Sequence, residues 1–327
     1  MTVERVATAH YRRQAALARR AAQRIARLWR RVDRGDIRAS WNAQVADAIA
    51  VLSSAQAVAA ASSSSYVDDA LEVQDFTADA LGRIAPGRFA GVASDGRDLT
   101  GLLLQPAVRA LTVIGAGADP RRALVAGAAE LDMIVRTQVA DAGRAADGVA
   151  ITARPEVRGY TRVLVGKSCS RCVVLAGRWY AWNQGFKRHP RCDCRHVPTE
   201  RDMSADVRTG PRAYFDSLTA TEQDKTFTKA GAEAIRDGAE IAQVVNARRG
   251  MQTATVFGRQ VLVTTEGTTT RGLAGQRLGA RRDGQKRDGG RYRSAVRVRL
   301  MPEQIYLEAG GDRAEAIRLL KLHGFLL

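Results

Sequence analysis

Histidine, cysteine and aromatic side chains are all scarce in this chain of 327 residues. It has four histidines, four cysteines, four Trp, seven Tyr and seven Phe. So few rings leave alanine and aliphatic residues to fill the interior, which favours helices packed through small side chains. Long apolar runs are also missing. The best candidate for a membrane span, residues 99–118, is interrupted by Gln105, Pro106 and Arg109, so no membrane is expected as a partner. The N-terminus has no apolar segment of the signal-peptide kind, which argues against secretion. It is rich in arginine and poor in acids, a faint likeness to a mitochondrial presequence. Its apolar stripe, however, continues through a full helix, and a helical arm is the better reading.

Acidic residues are outnumbered, 34 against 51 Lys and Arg, giving a net charge of +17. The excess is clustered. Residues 1–38 carry eleven Arg and three acids, residues 154–201 eleven Lys or Arg and three acids, and residues 271–300 ten Lys or Arg and two Asp. Each block is +8, and the remaining residues carry −7. Three basic blocks on an otherwise acidic body point to a polyanion, most simply DNA bound without sequence preference. Arginine usage alone, on solvated faces, is the competing account.

The four cysteines are confined to 26 residues. They run Cys169-Ser-Arg-Cys172, then nineteen residues, then Cys192-Asp-Cys194, with His189 and Pro190 just ahead of the second pair. Two close thiol pairs joined by about twenty residues form the layout of a zinc ribbon, in which two tight turns supply one tetrahedral metal. The second turn is C-x-C, so five groups compete for four positions: Cys169, Cys172, His189, Cys192 and Cys194. A structural zinc is expected. A redox C-x-x-C and metal-free thiols or disulfides are the alternatives. A hydrolytic zinc would need a nearby acid as base, and between Cys169 and His196 there is only Asp193.

Apolar spacing predicts a helix over 2–33 on Val3, Val6, His10, Leu17, Ala21, Ile25, Leu28 and Val32, with His10 a packed imidazole. Further helices are predicted from about Ser40, over 67–81, over 99–114, and over 120–145, where Asp119 and Pro120 suit the cap and first turn. Strands are predicted at 159–165, 177–182 and 195–198 around the cysteines. Trp179, Tyr180, Trp182 and Phe186 either stack on bases or, the stronger reading, form the small core over the metal. Helices resume from Tyr214, with a capping box at Thr219 and Glu222 and a cap at Thr228. A hairpin is predicted over 253–265, hinged at Gly258. Residues 266–300, rich in Gly and Arg, read as a flexible basic linker. A last helix spans 312–322.

The fold class is therefore α+β and mostly α-helical: a helical N-terminal region, then a small zinc-pinned antiparallel sheet with packed helices. The divisions are 1–146, a docking region; 147–265, the zinc-containing domain; 266–300, the linker; and 301–327, the C-terminal helix.

The run Cys169-x-x-Cys172, Leu175-x-Gly177, Trp179-Tyr180 and His189-Pro190-x-Cys192-x-Cys194 resembles the signature of phage Mu F-like head morphogenesis proteins. Phe215-x-x-Leu218, Phe227-Thr-Lys-Ala-Gly231 and Val245-Asn-Ala-Arg248 resemble the version found in actinobacterial phages. The resemblance implies a minor head protein of a tailed phage or prophage. Such a protein would be made in the host bacterial cytoplasm and carried in the capsid interior beside the portal, scaffold and packaged DNA. Relatives are also labelled capsid maturation proteases, so proteolysis is the alternative function. No catalytic residues are assigned, because Ser168 and Ser170 flank Cys169 and no lysine has a diagnostic setting.

Overall fold

In the computed structural model, the structure describes residues 2–166, 168–185, 194–199 and 210–327. The described chain forms two units: 2–166 with 177–185 and 194–199, and 168–176 with 210–327. This differs from a boundary at residue 146, because the small sheet belongs to the helical unit.

Five long helices build the first unit. In α1 (Val3–Trp29), the Thr2 side chain caps the Arg5 N–H. The buried stripe is Val6, His10, Gln14, Ala18, Ala21, Ile25 and Trp29. Leu17 and Leu28, expected on it, only edge the core. Helix α2 (Ile37–Ala61) starts three residues before Ser40, because Asp36 accepts from the Ala39 N–H and caps it. Helix α3 (Ser63–Glu72) starts four residues before the predicted 67–81 span and ends nine before its close. Ser62 ends α2 with its hydroxyl turned back onto the Ala59 carbonyl. Helix α4 (Leu99–Gly115) accommodates Pro106 within its span. Helix α5 (Pro120–Thr152) opens on Asp119, as expected, and runs seven residues beyond residue 145. Its extra turns are held because Ala146, Asp147, Ala150 and Ile151 are all buried.

The core of this unit confirms packing through small residues. Trp29 and Trp41 meet edge-on at 4.9 Å. Their indole N–H groups donate to the Leu124 and Leu103 carbonyls, so neither buried donor is orphaned. A methyl at Gly127 would run into the Trp29 ring. By length and apolar composition alone, Ile37–Glu72 passes as a membrane-crossing stretch, which is not the segment chosen from the sequence. Its Trp41, Val45, Ala48, Leu52 and Ala59 are buried in the helical core.

Strands β1 (Gly159–Val163), β2 (Trp179–Ala181) and β3 (Arg195–Thr199) form an antiparallel sheet in the order β2-β1-β3. Tyr160 lies opposite Tyr180, and Arg162 opposite His196. Both β1 and β3 are buried along their whole length. Tyr160, Val163 and Val197 pack with Val6, Tyr66, Leu71 and Ile151 from α1, α3 and α5. The helices supply the apolar cover that so short a sheet lacks.

The second unit begins with α6 (Ser170–Val173) and continues with α7 (Pro211–Asp216), α8 (Ala220–Phe227), α9 (Lys229–Arg236) and α10 (Ile241–Ala247). Both expected caps are present: the Thr219–Glu222 capping box, and Thr228, whose hydroxyl accepts from the Gly231 N–H. The hairpin is β4 (Met251–Val256) and β5 (Arg259–Thr264).

Residues 266–300 differ from the flexible linker read from their composition. They hold α11 (Leu273–Arg277), β6 (Gln285–Lys286), β7 (Arg293–Ser294) and β8 (Arg299–Leu300), the last paired to β5. The glycines serve close approach: a methyl at Gly275 would strike the Thr268 and Thr269 carbonyls. Arg299 is buried, and its guanidinium lies 4.3 Å from the centre of the Phe325 ring. It donates to the carbonyls of His323 (2.8 Å), Glu266 (2.8 Å) and Gly324 (3.5 Å), and to Gln243 Oε1 (3.2 Å). The chain closes on α12 (Pro302–Ala309), which the sequence reading missed, and α13 (Arg313–Leu322), capped by Asp312.

Candidate functional site

Three of the five proposed metal ligands lie among the described residues. Cys169 is exposed and sits at the N-cap of α6, and its carbonyl accepts from the Cys172 and Val173 N–H groups at 2.9 and 3.1 Å. Cys172, one turn on, is buried. The C-x-x-C is thus a single tight turn, the local form that a zinc-ribbon turn requires. Cys194 is buried in the first unit, just before β3. The Arg162 guanidinium donates to its sulfur at 3.1 Å, and Arg144 Nε donates to its carbonyl at 3.2 Å. A cationic donor of this kind suits a sulfur carrying negative charge, as a metal-bound thiolate does. His189 and Cys192 lie outside the described residues. Among the described residues, no three His, Cys, Asp or Glu side chains gather as a metal-holding group.

The aromatic residues of the sheet divide between the two readings given for them. Tyr180 stacks on Tyr160 at 5.6 Å, and Trp179 Nε1 donates to Thr199 Oγ1 at 3.1 Å, so both are bound into the sheet. Trp182 is 51 % exposed and retains a free face. Phe186 lies outside the described residues.

The three described histidines, His10, His196 and His323, occupy structural positions. His10 is fully buried and stacked on Tyr66, with ring centroids 4.0 Å apart and planes 9° from parallel. Its Nε2 lies 3.3 Å from both carboxylate oxygens of the equally buried Asp147. Burial pushes the Asp147 carboxyl up, but the His10 hydrogen bond and charge, with Arg195, hold it below the ordinary range. Burial and the Asp147 charge push the Tyr66 phenol up, and its hydroxyl donates to the His196 carbonyl at 2.6 Å. The His196 ring lies 4.4 Å from that of Tyr160. His323 accepts from the Leu300 N–H through Nδ1.

The serines and lysines weighed for proteolysis can be placed as well. The Ser168 N–H donates to the Tyr214 hydroxyl at 2.7 Å, which fixes its backbone. Lys225, Lys229, Lys286 and Lys321 are exposed. Lys167 and Lys187 lie outside the described residues.

The sequence reading missed the buried arginines. Arg144, Arg162 and Arg195 are 3 %, 1 % and 1 % exposed, far from the norm for this residue. Burial, and then Arg144, push Arg195 down to about 10, which leaves it cationic at neutral pH. The one available signal is that Arg162 and Arg195 interrupt strand-like apolar sequence.

Set against models of protein families, residues 1–221 match the family described as VG15 protein, 221 of the 327 residues. That family is one of phage virion-associated proteins. No curated protein and no solved structure matches the chain.

Proposed function

We propose that this chain, which belongs to the VG15 protein family, is a minor head protein of a tailed phage or prophage. It acts in head morphogenesis by binding the portal and the inner capsid or scaffold, and it contacts packaged DNA. The observation that carries the reading is the cysteine–histidine run from Cys169 to Cys194, with its Mu F-like form, inside a chain of a virion-associated family. The clustered basic blocks support the contact with DNA.

Two experiments separate assembly from catalysis. Fractionated virions should retain the chain at low copy. Co-expression with its own scaffold and major capsid protein should leave both intact. Specific cleavage of either, abolished by Ser168→Ala or Ser170→Ala, would replace this reading with maturation protease.

The proposal includes one structural zinc held by four of Cys169, Cys172, His189, Cys192 and Cys194, supported by the ligand spacing and the Cys169–Cys172 turn. When bound, the metal supplies cross-linking and no chemistry. Reduced protein purified without chelator should contain about one zinc per chain, and Cys169→Ser should lose most of it. Metal analysis finding none in the wild-type protein rejects the site.

DNA binding should be independent of sequence and should weaken steeply with salt, by about 0.9 log units per log unit of salt for each phosphate neutralised. Replacing Arg281, Arg282, Arg287 and Arg291 with Ser should flatten that slope. An affinity that does not change with salt would point to acidic protein surfaces instead.

A further inference from the structure

The first unit contains a cavity of about 180 Å³ between α1, α5 and the start of β3. Its walls are uneven in a telling way. Ala15, Ala18 and Ala140 face it with methyl groups, so the helices leave open space where longer side chains would have filled it. Four arginines also line that space: Arg19, Arg136, Arg144 and Arg195. Among the described residues, no carboxylate lines the cavity. The volume exceeds what one water needs.

Two of the arginines are already engaged. Arg136 is paired with Asp132 at 2.7 Å, and Arg144 with Asp141 at 3.0 Å. Arg195 is different. It is 1 % exposed, and its Nε and Nη1 donors have no hydrogen-bond partner. Its guanidinium lies 5.3 Å from the centre of the Tyr11 ring, itself a cavity wall. The Thr137 hydroxyl, also on the wall, is buried with no partner. A buried cation with unmet donors costs several kcal/mol unless something accepts from it. Asp147, fully buried, is hydrogen-bonded to His10 and meets Arg195 through its charge alone, so it leaves those donors unmet.

We infer that this cavity is a binding site for a phosphate-class oxyanion, with Arg195 as its buried anchor and Arg19, Arg136 and Thr137 around it. The charge argues for phosphate over chloride or a lone carboxylate. A phosphate group brings one and a half to two negative charges and several acceptor oxygens, roughly what Arg19, Arg195 and the Thr137 hydroxyl can use once Arg136 and Arg144 are paired with their own carboxylates. The shared chemistry is a phosphate oxyanion, supplied either free in solution or by a nucleic-acid backbone. The inference stands on the cavity alone and does not depend on the head-protein reading.

The test uses the full chain and inorganic phosphate, by calorimetry and thermal melting, against chloride at matched ionic strength. The wild-type protein should bind phosphate and melt higher in it. Ala140→Leu fills the cavity from a helix with a good helix former and leaves every arginine in place; Arg19→Ala removes an exposed cation whose loss does not disturb the core. Each should weaken phosphate binding about tenfold or more, with circular dichroism unchanged. Arg195→Met should abolish binding; if that variant fails to fold, the other two still decide. A short DNA duplex that displaces phosphate identifies the backbone as the source, and one that does not identifies free phosphate. Absence of phosphate-specific binding by the wild-type protein, or affinity unchanged in both Ala140→Leu and Arg19→Ala, overturns the site.

Discussion

Arg299→Ala should lower the stability of the second unit by about 2–4 kcal/mol, the order expected when buried acceptors lose a charged donor. The guanidinium serves four acceptors at once, on Gln243, Glu266, His323 and Gly324, and covers the Phe325 ring. Truncation strips those acceptors of a donor in a dry site, and each orphaned carbonyl carries its own desolvation penalty. Arg299→Lys should recover little, because an ammonium has neither the planar fork nor the reach to serve acceptors on opposite sides. Urea melts of the wild-type and variant proteins give the number. Amide exchange adds the location: protection across residues 266–300 should collapse with the variant. If that segment is already unprotected in the wild-type protein, it is the flexible linker its composition suggests, and the prediction fails.

A second large effect is acid lability centred on His323. Its ring is buried beside Arg299 and Arg318, and burial first, then those two charges, push it down from 6.5 to about 4. The unfolded chain takes up a proton near 6.5 that the folded unit refuses until about 4. Between those values the unfolded state binds more protons, so stability falls as pH falls. The contribution is complete above about 6.5 and is lost progressively towards 4, amounting to about 3 kcal/mol. His323→Gln keeps an acceptor for the Leu300 N–H and cannot titrate. It should start less stable but show a flatter profile over that window. Equal slopes for both proteins between pH 6.5 and 4 would remove His323 as the cause.

How much of this was legible in the sequence depends on the distance over which each interaction acts. Local signals read well. Asp119 with Pro120 marked the start of α5, Thr219 with Glu222 marked α8, and Gly258 marked the hairpin turn, because caps and turns are settled within a few residues. Composition misled at 266–300. Glycine there suggested freedom, whereas Gly275 is needed because another backbone passes against it. The extension of α5 was invisible for a related reason: Asp147 is held by His10, 137 residues away. The cysteine spacing is the basis for proposing a metal site, whereas the Arg162 donor to Cys194 and the Arg195 anchor come from strands whose pairing no local pattern reveals.

The helix carrying Cys169 and Cys172 belongs to the second unit, although its sequence lies between stretches of the first. Each unit is therefore written in pieces that alternate along the gene. A crossover between related phage genes near residue 146, or anywhere from 168 to 199, would hand one unit a fragment whose complement stayed behind. Only exchange beyond that stretch, after β3, leaves the first unit whole, and even then α6 travels with the wrong parent. Recombination should favour inheritance of these residues as a single block, and limited proteolysis inside 168–199 should destabilise both units together.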